Sequence, residues 1–116
     1  MLASTCGTPA QINTSGRIVV LEEVGEYGYR IDRMLQQLRS SGCFDEAVGV
    51  AVGEFRSCTL PTDADYDVRD ILLDHLGPLN LPVVGNLPIG HGPKNFPFVW
   101  GQVATLDQGL HWISNV

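Results

Sequence analysis

GRIVVLEEV, residues 16–24, begins at the glycine of a Ser-Gly turn, continues as a run rich in β-branched and aliphatic residues, and has two glutamates just before its last residue. A run of this length and composition, bounded by turn residues, predicts a buried strand. Glu22 and Glu23 therefore stand at the end of the first strand, where side-chain chemistry can begin.

Two amphipathic helices are predicted further along the chain. The first lies in residues 25–45, GEYGYRIDRMLQQLRSSGCFD, where apolar residues recur every three or four positions before a glycine (Ile31, Met34, Leu35, Leu38 and Gly42). The second is marked by Val68, Ile71, Leu72 and Leu76. Asp67 is a plausible N-cap for it, and Gly77-Pro78 ends it.

Strands are predicted between and after these helices. FDEAVGVAVGEF, residues 44–55, is a second strand whose small residues favour close packing on both sides, and LPVVGNLPIG, residues 81–90, is a third. FPFVWGQVATLD, residues 96–107, alternates between two faces, and GLHWISNV adds a short strand. The sequence thus predicts an α/β fold with a mixed sheet, two main helices and a C-terminal β-hairpin.

Size and charge limit the function classes. The chain has 116 residues, which predicts a single domain, and a net charge of −6 without a basic cluster argues against nucleic-acid binding. Three scattered cysteines (Cys6, Cys43 and Cys58) contain no C-x-x-C pair, which argues against a disulfide framework and a zinc site. We found no signal peptide and no apolar run long enough to span a membrane, so we expect a cytoplasmic protein without membrane contact.

One histidine stands in a loop bounded by glycines and prolines. In NLPIGHGPKN, residues 86–95, His91 lies between Gly90 and Gly92 and follows the third predicted strand. Because the carboxyl ends of parallel strands meet at one edge of a sheet, Glu22, Glu23 and His91 are candidates for one shared corner. A carboxylate that orients an imidazole is two thirds of a catalytic triad. The alternative is that the glutamates are solvated strand ends and that His91 is an ordinary loop residue.

Three segments carry a resemblance that covers nearly the whole chain. Residues 7–45 with LEEVGE and YRIDRMLQQL, residues 75–95 with PIGHG, and the closing GQVATLD resemble the C-terminal domain of the LD-carboxypeptidases. This serine peptidase family also includes the microcin C immunity peptidase. The resemblance implies a β/β/α swivelling-type domain, and it implies hydrolysis of the amide to a terminal D-amino acid in murein tetrapeptides during cell-wall recycling.

The resemblance assigns roles to two residues. The family glutamate falls on Glu22 and the family histidine on His91, as orienting carboxylate and general base, while Glu23 takes the neighbouring acidic position. The family's nucleophilic serine lies in an N-terminal domain, and no serine here occurs in a G-x-S-x-G pattern (Ser4, Ser15, Ser40, Ser41, Ser57 and Ser114). We therefore expect the chain to be a separated C-terminal domain, inactive without a serine-bearing partner domain, and with no cofactor or metal.

Other functions stay open at this point. The chain could instead be a binding or dimerisation module, since a homodimer is compatible with the resemblance, or part of a hydrolase of peptide-nucleotide amides. If it faces a partner domain, its exposed surface should include large aromatic side chains, and Tyr27, Phe96 and Trp100 are the candidates.

Overall fold

The computed structural model describes residues 1–107 and 109–112. Its elements are α1 (Leu2–Thr5), β1 (Ile18–Val24), α2 (Gly28–Ser40), β2 (Gly49–Arg56), α3 (Val68–Leu76), a 3₁₀ turn (Gly77–Leu79), β3 (Val83–Gly85) and β4 (Leu110–Trp112). The predicted α/β class and the two main helices, α2 and α3, are confirmed. Within these residues no helix has both the length and the apolar character needed to cross a bilayer.

The strands form one sheet in the order β1-β2-β3-β4, and every neighbouring pair is parallel. Helix α2 connects β1 to β2, and α3 lies between β2 and β3 in the chain, which is the crossover arrangement that parallel strands require. The carboxyl ends of β1, β2 and β3 consequently lie along one edge of the sheet, and this edge is where the candidate residues were expected.

The core lies between the two helices and one face of the sheet. Helix α2 contributes the buried side chains predicted from its spacing, and β1, β2, β3 and α3 complete the cluster (Val19, Leu21, Ile31, Leu35, Leu38, Val50, Val52, Ile71, Leu72, Leu76 and Val83). Since Val19 and Leu21 face this core, the intervening residue of β1 and Glu22 point to the other side of the sheet.

The predicted helix ends are confirmed. Gly42 has a φ of +74°, a left-handed conformation that glycine adopts without steric cost, just after α2 ends. At α3 the Asp67 side chain accepts a hydrogen bond from the Asp70 N–H at 3.0 Å, and the Asp70 carboxylate accepts from the Asp67 N–H at 2.8 Å. This reciprocal pair is a capping box.

Helices α2 and α3 are also joined by a polar contact. His75 of α3 is 7% exposed, and its Nε2 lies 2.7 Å from Oδ1 of Asp32 on α2. The other ring nitrogen, Nδ1, is buried and has no hydrogen-bond partner among the described residues. If the contact with Asp32 were lost, both ring nitrogens of His75 would be buried without a hydrogen-bond partner, which is energetically costly. The contact therefore favours the observed packing of α3 against α2.

The predicted mixed sheet and C-terminal hairpin are wrong for the described residues. Residues 96–107 contain no strand, and β4 pairs with β3 in parallel over Leu110–Trp112. Residues 113–116, which completed the predicted last strand, lie outside the described range. Alternation indicates a strand only when one face is buried, whereas Trp100 is 75% and Val103 is 97% exposed. Pro97 and the left-handed Gly101 interrupt the segment as well.

Candidate active site

Strand β2 contains a bulge where it passes Glu22. Leu21 pairs with Val52 but Glu23 pairs with Phe55, so β2 has one residue more than β1 over this interval, within Gly53-Glu54. Gly53 is required here, because a Cβ on it would stand 2.5 Å from the Ile89 carbonyl oxygen and 3.3 Å from Cβ of Glu22. The bulge therefore lets a later segment of the chain approach β1 and β2 closely.

That segment is the loop that carries His91, and backbone hydrogen bonds attach it to β2. The Leu87 N–H donates to the Val52 carbonyl at 2.9 Å, and the Glu54 N–H donates to the Ile89 carbonyl at 3.0 Å. Two bonds then close the loop on itself, from the Gly90 N–H to Oδ1 of Asn95 at 3.2 Å and from the Phe96 N–H to the Pro88 carbonyl at 2.9 Å. The loop is irregular but its two sides are tied together.

The glycines on either side of His91 make room for two carboxylates. Gly90 has a φ of +120°, and a Cβ on it would stand 2.9 Å from Oε2 of Glu22. A Cβ on Gly92 would collide with the carboxyl group of Glu54. The sequence shows glycine on both sides of His91, and the structure adds that each glycine is in contact with an acidic side chain.

The structure brings His91 and Glu22 together, which confirms the predicted juxtaposition. Nδ1 of His91 lies 2.8 Å from Oε2 of Glu22, and the two side chains are 57% and 34% exposed. Because an ionised carboxylate only accepts hydrogen bonds, Nδ1 donates, and Nε2 of the neutral ring is left with its lone pair. Nε2 has no hydrogen-bond partner within residues 1–107 and 109–112, so this nitrogen is free to accept a proton.

Glu23 is placed differently from Glu22. Its Oε1 accepts the backbone N–H of Val24 at 2.9 Å, and no hydrogen bond joins it to His91 in the described part of the chain. Successive side chains of a strand point to opposite faces, which explains why two adjacent glutamates have different partners.

Cys43 and Cys58 are not activated nucleophiles. Burial raises the pKa of the Cys43 thiol, with a further contribution from Cys6, and burial likewise raises the pKa of Cys58. A raised pKa keeps each thiol protonated and unreactive near neutral pH. Across residues 1–107 and 109–112, no serine hydroxyl is hydrogen-bonded to His91, and no cluster of three or more His, Cys, Asp or Glu could hold a metal ion.

The three aromatic residues expected at the surface are exposed. Tyr27 is 49%, Phe96 is 61% and Trp100 is 75% exposed, so none belongs to the core. Trp100 contacts the Phe98 ring, with the centroids 5.2 Å apart. Phe96 and Trp100 lie in the segment that directly follows the His91 loop in the chain, so this segment presents apolar side chains to solvent.

Sequence reasoning missed Glu54 and the bulge. The only signal in the sequence is the Gly-Glu pair near the end of the second predicted strand, and a bulge cannot be recognised there without knowing the partner strand's register. In the structure the Glu54 carboxyl group lies against Gly92 of the His91 loop, whereas the Glu22 carboxyl group lies against Gly90.

Comparisons with known proteins agree on one family. The family model described as "LD-carboxypeptidase C-terminal domain" matches residues 1–106. A Synechocystis protein that bears the name of a carboxypeptidase is 41% identical over 102 residues, which are 87% of this chain and 34% of that protein. A "Probable murein peptide carboxypeptidase" of Bacillus subtilis is 34% identical over 108 residues, which are 92% of this chain and 34% of that protein.

Solved structures agree with this result. A muramoyltetrapeptide carboxypeptidase from Oxalobacter formigenes matches with a TM-score of 0.72 and 36% identity, covering 82% of this chain and 34% of that one. The microcin C7 self-immunity protein in complex with aspartyl sulfamoyl adenosine matches with a TM-score of 0.62 over 75% of this chain and 26% of its own, and its 15% identity shows a shared fold alone. The chain thus spans about a third of the length of the relatives named as carboxypeptidases.

Proposed function

The chain belongs to the LD-carboxypeptidase family as its C-terminal domain, and from this premise we propose that it supplies the general base of an L,D-carboxypeptidase. The substrate would be a murein tetrapeptide, from which the enzyme releases the terminal D-amino acid. The names of the relatives that are more than 30% identical support this substrate class.

One observation carries the proposal, namely the hydrogen bond between Nδ1 of His91 and Oε2 of Glu22 at 2.8 Å. The carboxylate fixes the tautomer, so that Nε2 can take a proton, and it stabilises the imidazolium that results. The exposed position of His91 supports the idea that Nε2 faces a group from outside this chain.

The missing group would be a serine in the other two thirds of the full-length protein. Nε2 of His91 would take the proton of the serine hydroxyl as its oxygen attacks the scissile carbonyl, and would then give that proton to the leaving D-amino nitrogen. Water would hydrolyse the acyl-serine in a second round that uses the same nitrogen. The nucleophile and the oxyanion donors would both come from that partner part.

Hydrolysis of a peptide-nucleotide amide is the weaker alternative. Its structural support is the microcin C7 self-immunity protein, and at 15% identity this likeness supports the fold and not the substrate. A non-catalytic binding module would have no need for the paired Glu22 and His91 at 2.8 Å, and the exposed aromatic residues fit a surface between the two parts of an enzyme equally well.

The test is release of D-alanine from an L,D-linked tetrapeptide by the protein that contains both this chain and a serine-bearing N-terminal part. The unmodified protein should release D-alanine, and His91→Ala should be close to inactive at unchanged folding by circular dichroism. Activity that survives His91→Ala would contradict the proposal, because no other group in the described part of the chain is paired with a carboxylate in this way at the sheet edge.

A further inference from the structure

We propose that Glu54 sets the preference of this site for the side-chain charge of the residue that donates the scissile carbonyl, so that a side-chain ammonium there is favoured and a side-chain carboxylate is disfavoured. This inference rests on the proposed function, because it takes His91 to mark the reacting centre. It adds a specificity-determining residue that contributes nothing to the proton transfer itself.

The first argument is the position of Glu54. Its backbone N–H donates to the Ile89 carbonyl at 3.0 Å, and its carboxyl group packs against Gly92, where any Cβ would collide with it. Gly92 is the direct neighbour of His91, and consecutive Cα atoms are about 3.8 Å apart. The Glu54 carboxylate therefore lies against the loop backbone at the residue next to His91.

The second argument is that the other carboxylates near this edge of the sheet already have a hydrogen-bond or ion-pair partner. Glu22 is bonded to His91, Glu26 is paired with Arg30 at 3.3 Å, and Glu23 accepts a backbone N–H. The Glu54 carboxylate, in contrast, has neither a hydrogen bond nor an ion pair within the described residues.

Two cations on the elements around Glu54 form no ion pair with it among the described residues. Lys94 lies in the same loop and Arg56 lies two residues further along β2, and both are exposed. Neither forms an ion pair within 4.0 Å in the part of the chain that the structure describes. The negative charge of Glu54 is thus available to a ligand.

The third argument is the range of the interaction. At physiological ionic strength, charges interact over a Debye length of about 8 Å, and Glu54 is half-buried, which weakens screening further. Like charges brought together at a binding surface are a common means of rejecting a wrong partner. An ammonium on the side chain that precedes the terminal D-amino acid would be attracted by Glu54, and a carboxylate on that side chain would be repelled.

The experiment compares three peptides that end in L-Lys-D-Ala, L-norleucine-D-Ala and L-Glu-D-Ala, hydrolysed by the full-length protein. The unmodified protein should rank them by kcat/KM as lysine, norleucine, glutamate. Glu54→Gln keeps the size of the side chain and should reduce the lysine-to-glutamate ratio about tenfold, and Glu54→Lys should invert it. Raising the salt concentration should reduce the same ratio in the unmodified protein.

Glu46→Gln is the matched control, because Glu46 is an exposed acid just before the opposite end of β2. It removes the same charge from the same chain and should leave the lysine-to-glutamate ratio at its original value. A ratio that Glu54→Gln does not change, or that Glu46→Gln changes equally, would overturn the inference.

Binding separates this inference from the proposed function. Dissociation constants of the three peptides, measured by calorimetry on the His91→Ala protein and on His91→Ala combined with Glu54→Gln, require no turnover. A lysine-to-glutamate preference in binding that the second variant abolishes would support the role of Glu54 even if no peptide were cleaved. Equal dissociation constants for the three peptides, or no binding of any of them, would overturn it.

Discussion

Nδ1 of His91 and Oε2 of Glu22 lie 2.8 Å apart although the two residues are 69 positions apart in the chain. The contact exists because β1 and β3 run in the same direction on either side of β2, so that the end of β1 and the loop after β3 arrive at one edge of the sheet. The bulge at Gly53-Glu54 then lets the loop cross β2 and reach Glu22.

The first prediction concerns the two adjacent glutamates. In the two-part protein, Glu22→Gln should lower kcat about 10⁴-fold, because an amide at this position no longer fixes the tautomer or stabilises the imidazolium. Glu23→Gln should have a mild effect, since Glu23 bonds to the Val24 N–H. Initial rates of D-alanine release measure both. Equal losses in the two variants would show that the orienting carboxylate has been assigned one residue away from its true position.

The second prediction concerns Gly53. Gly53→Ala should destabilise the chain by about 1–3 kcal/mol and lower kcat in the two-part protein, because the new Cβ meets the backbone oxygen of Ile89 and the loop must move. Urea unfolding and D-alanine release are the two measurements.

Gly77→Ala is the control for this substitution. Gly77 has a φ of −55°, and a Cβ on it would have no other atom within 4 Å. Because Gly77 has αR dihedrals directly before Pro78, an alanine there should cost some stability, but Gly77 lies outside the bulge and the His91 loop, so kcat should stay nearly unchanged. If Gly53→Ala were as well tolerated as Gly77→Ala, the loop would not depend on the close approach at the bulge.

The elements that were predicted correctly are those whose sequence pattern lies within the element itself or directly beside it. The spacing of Ile31, Leu35 and Leu38 predicted α2, and Asp67 was recognised as the cap of α3 from its own neighbourhood. The meeting of Glu22 with His91 also followed from strand order, because a parallel sheet leaves few arrangements for strand ends.

The prediction that was wrong and the features that were missed both depend on contacts between segments that are distant in the chain. The alternation of residues 96–107 predicted a strand, but the segment has no strand partner in the described residues and stays largely exposed. The bulge and the position of Glu54 depend on the register of β2 against β1, and no pattern within β2 alone reveals it.

The third prediction concerns the contact between α2 and α3. Asp32→Ala should lower the free energy of unfolding by about 1–3 kcal/mol, because it removes the acceptor of buried His75. Urea unfolding of the chain measures this loss.

Asp74→Ala controls for helix propensity, since it makes the same change at an exposed position of α3. Asp32→Asn keeps an acceptor oxygen and should recover part of the stability. A loss no larger for Asp32→Ala than for Asp74→Ala would mean that the Asp32–His75 contact contributes nothing measurable.

The fourth prediction concerns the chain by itself. The 116 residues alone should not hydrolyse an L,D-linked tetrapeptide at a measurable rate, although His91 and Glu22 are already in contact. In serine hydrolases, the catalysis that survives damage to the triad is about 10³ to 10⁴ over water, and it comes from the oxyanion hole and substrate binding. We assign both mostly to the partner part, so even this remainder should be absent.

Joining the chain to a serine-bearing N-terminal part of the family should restore the release of D-alanine, and replacing that serine with alanine should abolish it again. The fluorescence of Trp100, which is 75% exposed in the chain, offers an independent readout of association, because covering an exposed indole shifts its emission to shorter wavelength. Hydrolysis by the chain alone at the rate of the joined protein would show that the nucleophile lies within these residues, and the division of the triad between two parts would then have to be abandoned.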